Sequence, residues 1–219
     1  MLDAHIVKAR DAFTLEVRLR LPPGERLALF GASGAGKSTL LSCLAGLETP
    51  DHGEIRLDGL RLFPPSLPLH RRPLAYLTQS DFLFPHLSVA ENVCFGLHDY
   101  HNGTQKWVGE LRDRLRLEAI WHQPATRISG GQSRRVALAR MLARQPPLVL
   151  LDEPFTALDI ATMNDLTAAL LEWQLRVGFT LIAVDHRPEI LSRLCSKMAF
   201  MEAGRIVRVS AAMDEARRQ

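Results

Sequence analysis

The segment Gly31-Ala32-Ser33-Gly34-Ala35-Gly36-Lys37-Ser38 limits what this chain can fold into more than any other stretch of it. Its glycines let the backbone turn so that successive N–H groups converge on one point, a path closed to most residues that carry a Cβ. Ahead of it Arg26-Leu27-Ala28-Leu29-Phe30 is a short apolar run, and from Lys37 to Leu44 the pattern turns helical. Strand, glycine loop and helix in that order are half of a βαβ unit, which argues for a mainly parallel sheet. The spacing Gly-x4-Gly-Lys-Ser is the Walker A pattern. In it the loop amides and the helix N-terminus face phosphate oxygens, Lys37 reaches the β- and γ-phosphates, and Ser38 offers its hydroxyl to Mg²⁺. The whole run Gly31 to Thr39 is therefore the expected nucleotide cradle. Read as structure alone, the same glycines would only turn the chain into a helix.

The flanking segments extend the α/β reading. Phe13, Leu15, Val17, Leu19 and Leu21 alternate as in a half-buried strand, and Glu54 to Gly59 reads as another strand ending in a turn, so the N-terminus is expected to be antiparallel β-structure. A short strand Leu74 to Thr78 ends at Gln79, after which helical periods run to about Ala143. The expected division is a nucleotide-binding core of residues 1–78 and 146–219, with 79–145 as an inserted helical subdomain. Leu148 to Leu151, Thr180 to Val184 and Lys197 to Met201 are apolar enough to be buried strands, with a helix Met163 to Arg176 between the first two. Ala203-Gly204 is expected to join a terminal hairpin, and 213–219 to be a short polar tail.

Two further segments bear chemistry. Leu148-Val149-Leu150-Leu151-Asp152-Glu153 delivers two acids to the carboxyl edge of a sheet, where ligands of open α/β folds collect. There Asp152 can hold Mg²⁺ and Glu153 can polarise an attacking water as general base. Alone, two acids beside Pro154 serve equally well as caps of a strand-to-helix turn. Ser129-Gly130-Gly131-Gln132 opens a helix and offers a hydroxyl and free N–H groups to an anion; alone, it is equally an ordinary N-cap.

In this order, the segments resemble the ATP-binding subunits of ABC transporters over nearly the whole chain. Arg127 to Gln132 is similar to the signature motif, with Ile128 where Leu is usual. Gln79 stands at the Q-loop, which senses Mg²⁺ and the attacking water; Ala157-Leu158-Asp159 at the D-loop, which meets the partner subunit; and His186 at the switch histidine, which touches the γ-phosphate. The resemblance implies a P-loop NTPase core of the RecA type with an N-terminal antiparallel β-subdomain. It also implies ATP and Mg²⁺ as ligands, the metal held by Ser38, Gln79 and Asp152, and catalysis by Glu153, His186, Gln79 and Lys37. The chain is expected to pair head-to-tail with a second copy, so that Walker A of one and Ser129-Gly130-Gly131 of the other enclose each ATP. Two departures stand out: His5 to Arg10 lacks the aromatic that usually stacks on adenine, leaving Arg10 to stack through its guanidinium plane, and Asp185 precedes His186 where Ser or Thr is commoner.

Within the family, Leu69 to Gln79 and Leu83 to Val93 look like the importer ATPases for molybdate, ferric iron, sulfate and thiamine, with the N-terminal run most similar to the molybdate subfamily. That implies integral membrane permease partners, docked at Phe84-Pro85-His86-Leu87, and indirectly a solute-binding protein. The place expected is the cytoplasmic face of the inner membrane, as a peripheral subunit. The chain is expected to be a bare cassette, without the C-terminal regulatory β-domain those subfamilies commonly carry. No window offers about 18 uninterrupted apolar residues, so no membrane span is expected, and the start lacks the plan of a signal peptide. Cys43, Cys94 and Cys195 are odd in number and far apart, which points to buried reduced thiols rather than a metal site. The net charge of +3 is small and its basic residues are dispersed, fitting a solvated surface; the clusters His70-Arg71-Arg72 and Arg134-Arg135 are read with the motifs beside them. A soluble ABC ATPase serving nucleic acid or translation is the alternative, but no nucleic-acid partner is expected, since the coiled coil or second cassette such proteins add has no room here.

Overall fold

In the computed structural model the described residues are 1–11, 13–97, 102–156 and 158–212. The chain begins with two antiparallel strands, β1 (Leu2–Ala9) and β2 (Thr14–Leu21), before β3 (Arg26–Phe30) leads into the glycine loop and α1 (Lys37–Ala45). Strand β2 alternates as expected, Leu15, Val17, Leu19 and Leu21 being buried while Glu16, Arg18 and Arg20 face out. Strands β4 (His52–Leu57) and β5 (Leu60–Phe63) follow, then β6 (Leu74–Leu77). Asp58 (φ 48°) and Gly59 (φ 82°) are both left-handed, the geometry of a tight hairpin turn, so the expected turn after β4 continues into a strand that the sequence reading did not anticipate. These four outer strands form one antiparallel sheet in the order β2-β1-β4-β5.

The second sheet runs β10-β9-β3-β8-β7-β6, with β7 (Leu148–Asp152), β8 (Thr180–Val184), β9 (Lys197–Glu202) and β10 (Arg205–Ala211). Every pairing from β9 to β6 is parallel, and β10 is the antiparallel edge of the expected hairpin. Its central strands are buried on both faces, and residue parity sorts their side chains. Leu27, Leu29, Leu148, Leu150, Ile182 and Val184 pack with α1 and the antiparallel sheet. Ala28, Val149, Leu151, Leu181 and Ala183 pack on the other side, with the remaining helices. Helix α1 thus lies between two sheets, its Leu40, Leu41, Cys43 and Leu44 fully buried, which fixes the glycine loop at its N-terminus.

Between β6 and β7 lie α2 (Val89–Cys94), α3 (Asn102–Arg114) and α4 (Gly130–Ala143). The helical reading after Gln79 begins too early. Residues 78–88 are irregular, because their backbone is satisfied by a side chain: Asn92 Oδ1 accepts from Phe84 N at 2.8 Å, and Asn92 Nδ2 donates to Phe84 O and Ser88 O at 3.1 and 3.0 Å. The lobe is tied to the core by Trp107, whose indole donates to Leu142 O at 3.0 Å and meets Trp173 edge-on. Helix α5 (Ile160–Val177) is longer than expected, and α6 (Pro188–Leu194), announced only by a proline at a helix start, was not foreseen. The polar tail expected at 213–219 lies outside the described residues. Cys43 and Cys195 are buried, and burial pushes their thiol pKa values up to about 11 and about 12, so both stay protonated; Cys94 is half-buried.

Arg72, in one of the two basic clusters, is not a surface residue. It is fully buried and its guanidinium donates to Leu44 O at 2.8 Å, Leu67 O at 2.9 Å, Leu62 O at 3.2 Å and Ser66 Oγ at 3.3 Å. It thereby closes the C-terminal end of α1, where free carbonyls and the helix dipole favour a cation. Gly46 makes room for it: a Cβ there would come 2.4 Å from Arg72 Cζ. Replacing Arg72 by Met leaves several buried carbonyls unpartnered and is expected to lower the unfolding free energy by about 3 kcal/mol in urea titrations. A loss below about 1 kcal/mol would contradict this role.

Candidate functional site

A cleft of about 400 Å³ opens at the carboxyl edge of the parallel sheet, over the N-terminus of α1. Its floor is the glycine loop, from which Ser33, Gly34, Gly36, Lys37, Ser38 and Thr39 line it; Gln79, Glu153 and His186 close one side. Gly31 must lack a Cβ because one would lie 2.3 Å from Met201 O, the backbone of β9. Gly36 has φ 100° and sits against the ring of Phe13, so the turn into α1 is glycine-specific on both counts. Ala35 packs into the core beneath the loop, and its N–H bonds to Ala32 O at 3.2 Å.

Lys37 is buried, and its ammonium donates to Gly31 O and Ala32 O, both at 2.8 Å. The lysine thus holds the loop that it belongs to. Burial lowers its pKa from the ordinary lysine value, an effect opposed by the charges of Asp152 and then Glu153. Asp152 ends β7, which pairs with β8, and Glu153 follows it. Asp152 is buried, and its Oδ2 accepts from Tyr76 OH at 3.0 Å, which together with burial raises the phenol's pKa. Its Oδ1 is buried with no hydrogen-bond partner among the described residues. Asp152 does not itself line the cleft, but an unsatisfied buried carboxylate oxygen close enough to act on the charge of Lys37 suits a hydrated divalent cation, so the residues present fit Mg²⁺.

Glu153 adopts φ 49°, an uncommon conformation for a residue with a Cβ, held by its N–H to Val184 O at 2.9 Å. The turn sends its carboxylate into the cleft, where Oε1 lies 2.6 Å from His186 Nε2. Lys37, Ser38, Thr39, Gln79, Glu153 and His186 therefore meet in one place. Ser129, Gly130, Gly131 and Gln132 do not: none of them lines the cleft. They form the start of α4, where Ser129 Oγ accepts from Gln132 N at 3.3 Å and Gln132 Oε1 accepts from Ser129 N at 2.8 Å. This capping box leaves the N–H groups of Gly130 and Gly131 without intrahelical partners. Of the expected D-loop, Ala157 lies outside the described residues, while Asp159 caps α5 by accepting from Thr162 N at 2.9 Å.

Comparison with known proteins identifies the family. The sequence pattern of the ABC transporter family matches residues 15–156. The chain belongs to the ABC transporter family. It is 40% identical over 213 residues to the Fe(3+) ions import ATP-binding protein FbpC of Yersinia pestis bv. Antiqua, a match covering 94% of this chain and 60% of that protein. It is 38% identical over 211 residues to the thiamine import ATP-binding protein ThiQ of Jannaschia sp., covering 94% and 91% of the two chains. Among solved structures, a dimeric bacterial ABC transporter cassette superposes with a TM-score of 0.83 at 26% identity, covering 97% of this chain and 99% of that one. The ATP-binding subunit of another ABC transporter gives 0.86 at 25% identity, covering 100% and 92%. The chain thus spans about 60% of the length of the iron-import relatives it matches.

In this ABC cassette one member of the basic cluster Arg134-Arg135 has a role that the sequence reading did not assign. Arg134, in α4, has a side chain only 5% exposed. Its Nε donates to Pro154 O at 2.7 Å, Nη1 to Thr78 O at 2.7 Å and Asp81 Oδ1 at 2.9 Å, and Nη2 to Glu153 O at 2.8 Å and Asp152 O at 3.4 Å. One guanidinium thus joins the helix begun by Ser129, the strand end before Gln79 and the turn that carries Glu153. Its spacing from Leu138 and Met141 put it on the inward face of α4, a signal present in the sequence.

The adenine question also changes. Arg10 lines the cleft, but its guanidinium pairs with Glu48 and lies 3.4 Å from Thr39 Oγ1. Phe13, in the turn between β1 and β2, lines the same cleft and gives it an aromatic wall. Arg134→Lys cannot reproduce the planar fork, and ATP turnover is expected to fall about tenfold or more while the chain still folds. Unchanged turnover in a steady-state phosphate-release assay would show that the fork does not set the site.

Proposed function

We propose that this chain binds and hydrolyses ATP as the motor subunit of an ABC importer, acting as a head-to-tail pair of identical copies. The observation that carries the reading is the split of its motifs: Lys37, Gln79, Glu153 and His186 share one cleft, whereas Ser129 to Gln132 stand away from it, with the Gly130 and Gly131 N–H groups lacking intrahelical partners. A two-fold arrangement gives those groups a γ-phosphate to meet, in the cleft of the second copy.

In this reading the loop from Gly31 to Thr39 cradles the phosphates and Lys37 moves from its carbonyl partners to the β- and γ-oxygens. Ser38, Gln79 and Asp152 would hold Mg²⁺, which when bound would supply charge neutralisation at the phosphates. Water positioned by Gln79 and Glu153 attacks the γ-phosphorus, Glu153 takes its proton, and ADP leaves as the bond to the bridging oxygen breaks. His186, bonded to Glu153, orients that carboxylate and contacts the γ-phosphate.

The membrane partner would be an integral permease. No helix among the described residues is long and apolar enough to cross a membrane. A peripheral place on the cytoplasmic face follows from the importer reading. Beside Gln79, Phe82 is 71% exposed and Phe95 is exposed as well, packed at one edge against Phe84, an apolar surface suited to a permease helix. A small solute or oxyanion, delivered by a solute-binding protein, is the cargo class we favour. Relatives are named for import of iron(III), thiamine and sulfate or thiosulfate, whereas molybdate rests on the N-terminal resemblance alone.

Glu153→Gln removes the proton acceptor and keeps the shape. It is expected to retain ATP affinity, to shift the chain toward a dimer in ATP on size-exclusion chromatography, and to abolish phosphate release. Normal phosphate release by this variant would refute the assignment.

A further inference from the structure

His186 stands between two residues that bind each other. Asp185 Oδ1 accepts from the Arg187 backbone N–H at 3.0 Å and from Nε at 2.9 Å, and Oδ2 accepts from Nη2 at 3.1 Å. An aspartate that accepts the N–H two residues on closes an Asx turn, here reinforced by a two-pronged guanidinium contact. The Asp185 side chain is 4% exposed, so its charge is out of water and committed to this one partner. The remaining prong, Nη1, lies 3.0 Å from Met163 Sδ in the first turns of α5, the helix capped by Asp159. Arg187 O in turn accepts from Ile190 N at 3.1 Å, where α6 starts.

The histidine ring at the apex is 62% exposed. Packing therefore does little to orient it, and the turn beneath it has to. The commoner Ser or Thr before the histidine can accept the turn N–H through a hydroxyl, but it has no second oxygen with which to hold a guanidinium. The geometry points to Asp185 and Arg187 as positioning residues that aim His186 at Glu153 and couple its turn to the helix following the D-loop. Neither touches the reacting atoms. This rests on the reading of His186 as a group of the ATP site.

The test uses the purified chain, with steady-state phosphate release in MgATP and nucleotide affinity measured separately by titration calorimetry. Arg187→Ala, at a side chain 38% exposed, changes a surface-facing group and should fold. We expect kcat to fall about tenfold in Arg187→Ala and in Asp185→Ala, with KM and ATP affinity within about twofold. The double variant should be no worse than either single one, because the two act as a unit. Asp185→Asn, whose side-chain oxygen can still accept from both the Arg187 N–H and Nε, should recover kcat to within about threefold of the parent. A merely structural role would lower folding stability without this split or this rescue. The proposal is overturned by kcat within about twofold of the parent in Arg187→Ala while His186→Ala abolishes turnover, or by losses that add in the double variant. Retained turnover in His186→Ala would remove the reading on which the clasp rests, and the clasp with it.

Discussion

The site depends on one cation taken out of water. Arg134 offers five N–H groups, and each finds an acceptor on a segment that carries chemistry or leads directly to it. A buried guanidinium tolerates little slack, since an N–H left without a partner costs the full desolvation of that group. The turn at Glu153, the strand end before Gln79 and the helix begun by Ser129 are therefore held to one geometry. Arg72 does the same at the other end of the assembly, closing the C-terminus of α1 while the glycine loop occupies its N-terminus. Between these two arginines the sheet edge, the loop and the helical lobe have few ways left to move independently.

Much of this was readable from residue order because the signals were local. The run Arg26 to Phe30, the glycines after it and the helix from Lys37 each declare themselves within a few residues, and β7 is an uninterrupted apolar strand because both of its faces are covered. The two acids at its end could be placed on the sheet edge for the same reason. What stayed hidden was nonlocal. Arg72 and Arg134 could be assigned only to the motifs beside them, because their partners are mostly backbone carbonyls, which every sequence contains and none displays. The irregular path of 78–88 depends on Asn92 folding back over it, and the Phe13 wall of the cleft depends on how the turn between β1 and β2 lies against Gly36.

The cleft also shows how function is distributed. Asp152 presents a buried oxygen without a protein partner, Glu153 is held in an uncommon backbone conformation, and Lys37 is tied to its own loop. Each is a group prepared for something that the single chain does not supply. Ser129 to Gln132 is prepared in the complementary sense, with free N–H groups at a helix start and no phosphate loop of the same chain beside it in the cleft. In the proposed head-to-tail pair, nucleotide bound between the copies would meet both sets at once.

Mixing two inactive variants tests that claim most directly. A copy carrying Lys37→Ala has a defective phosphate loop but an intact Ser129 segment, and a copy carrying Ser129→Phe has the reverse. If each site is built from two chains, a mixed dimer contains one intact site, and ATP turnover returns when the two proteins are combined. If each chain completes its own site, the mixture stays as inactive as its components, even when cross-linking shows that the two copies have paired.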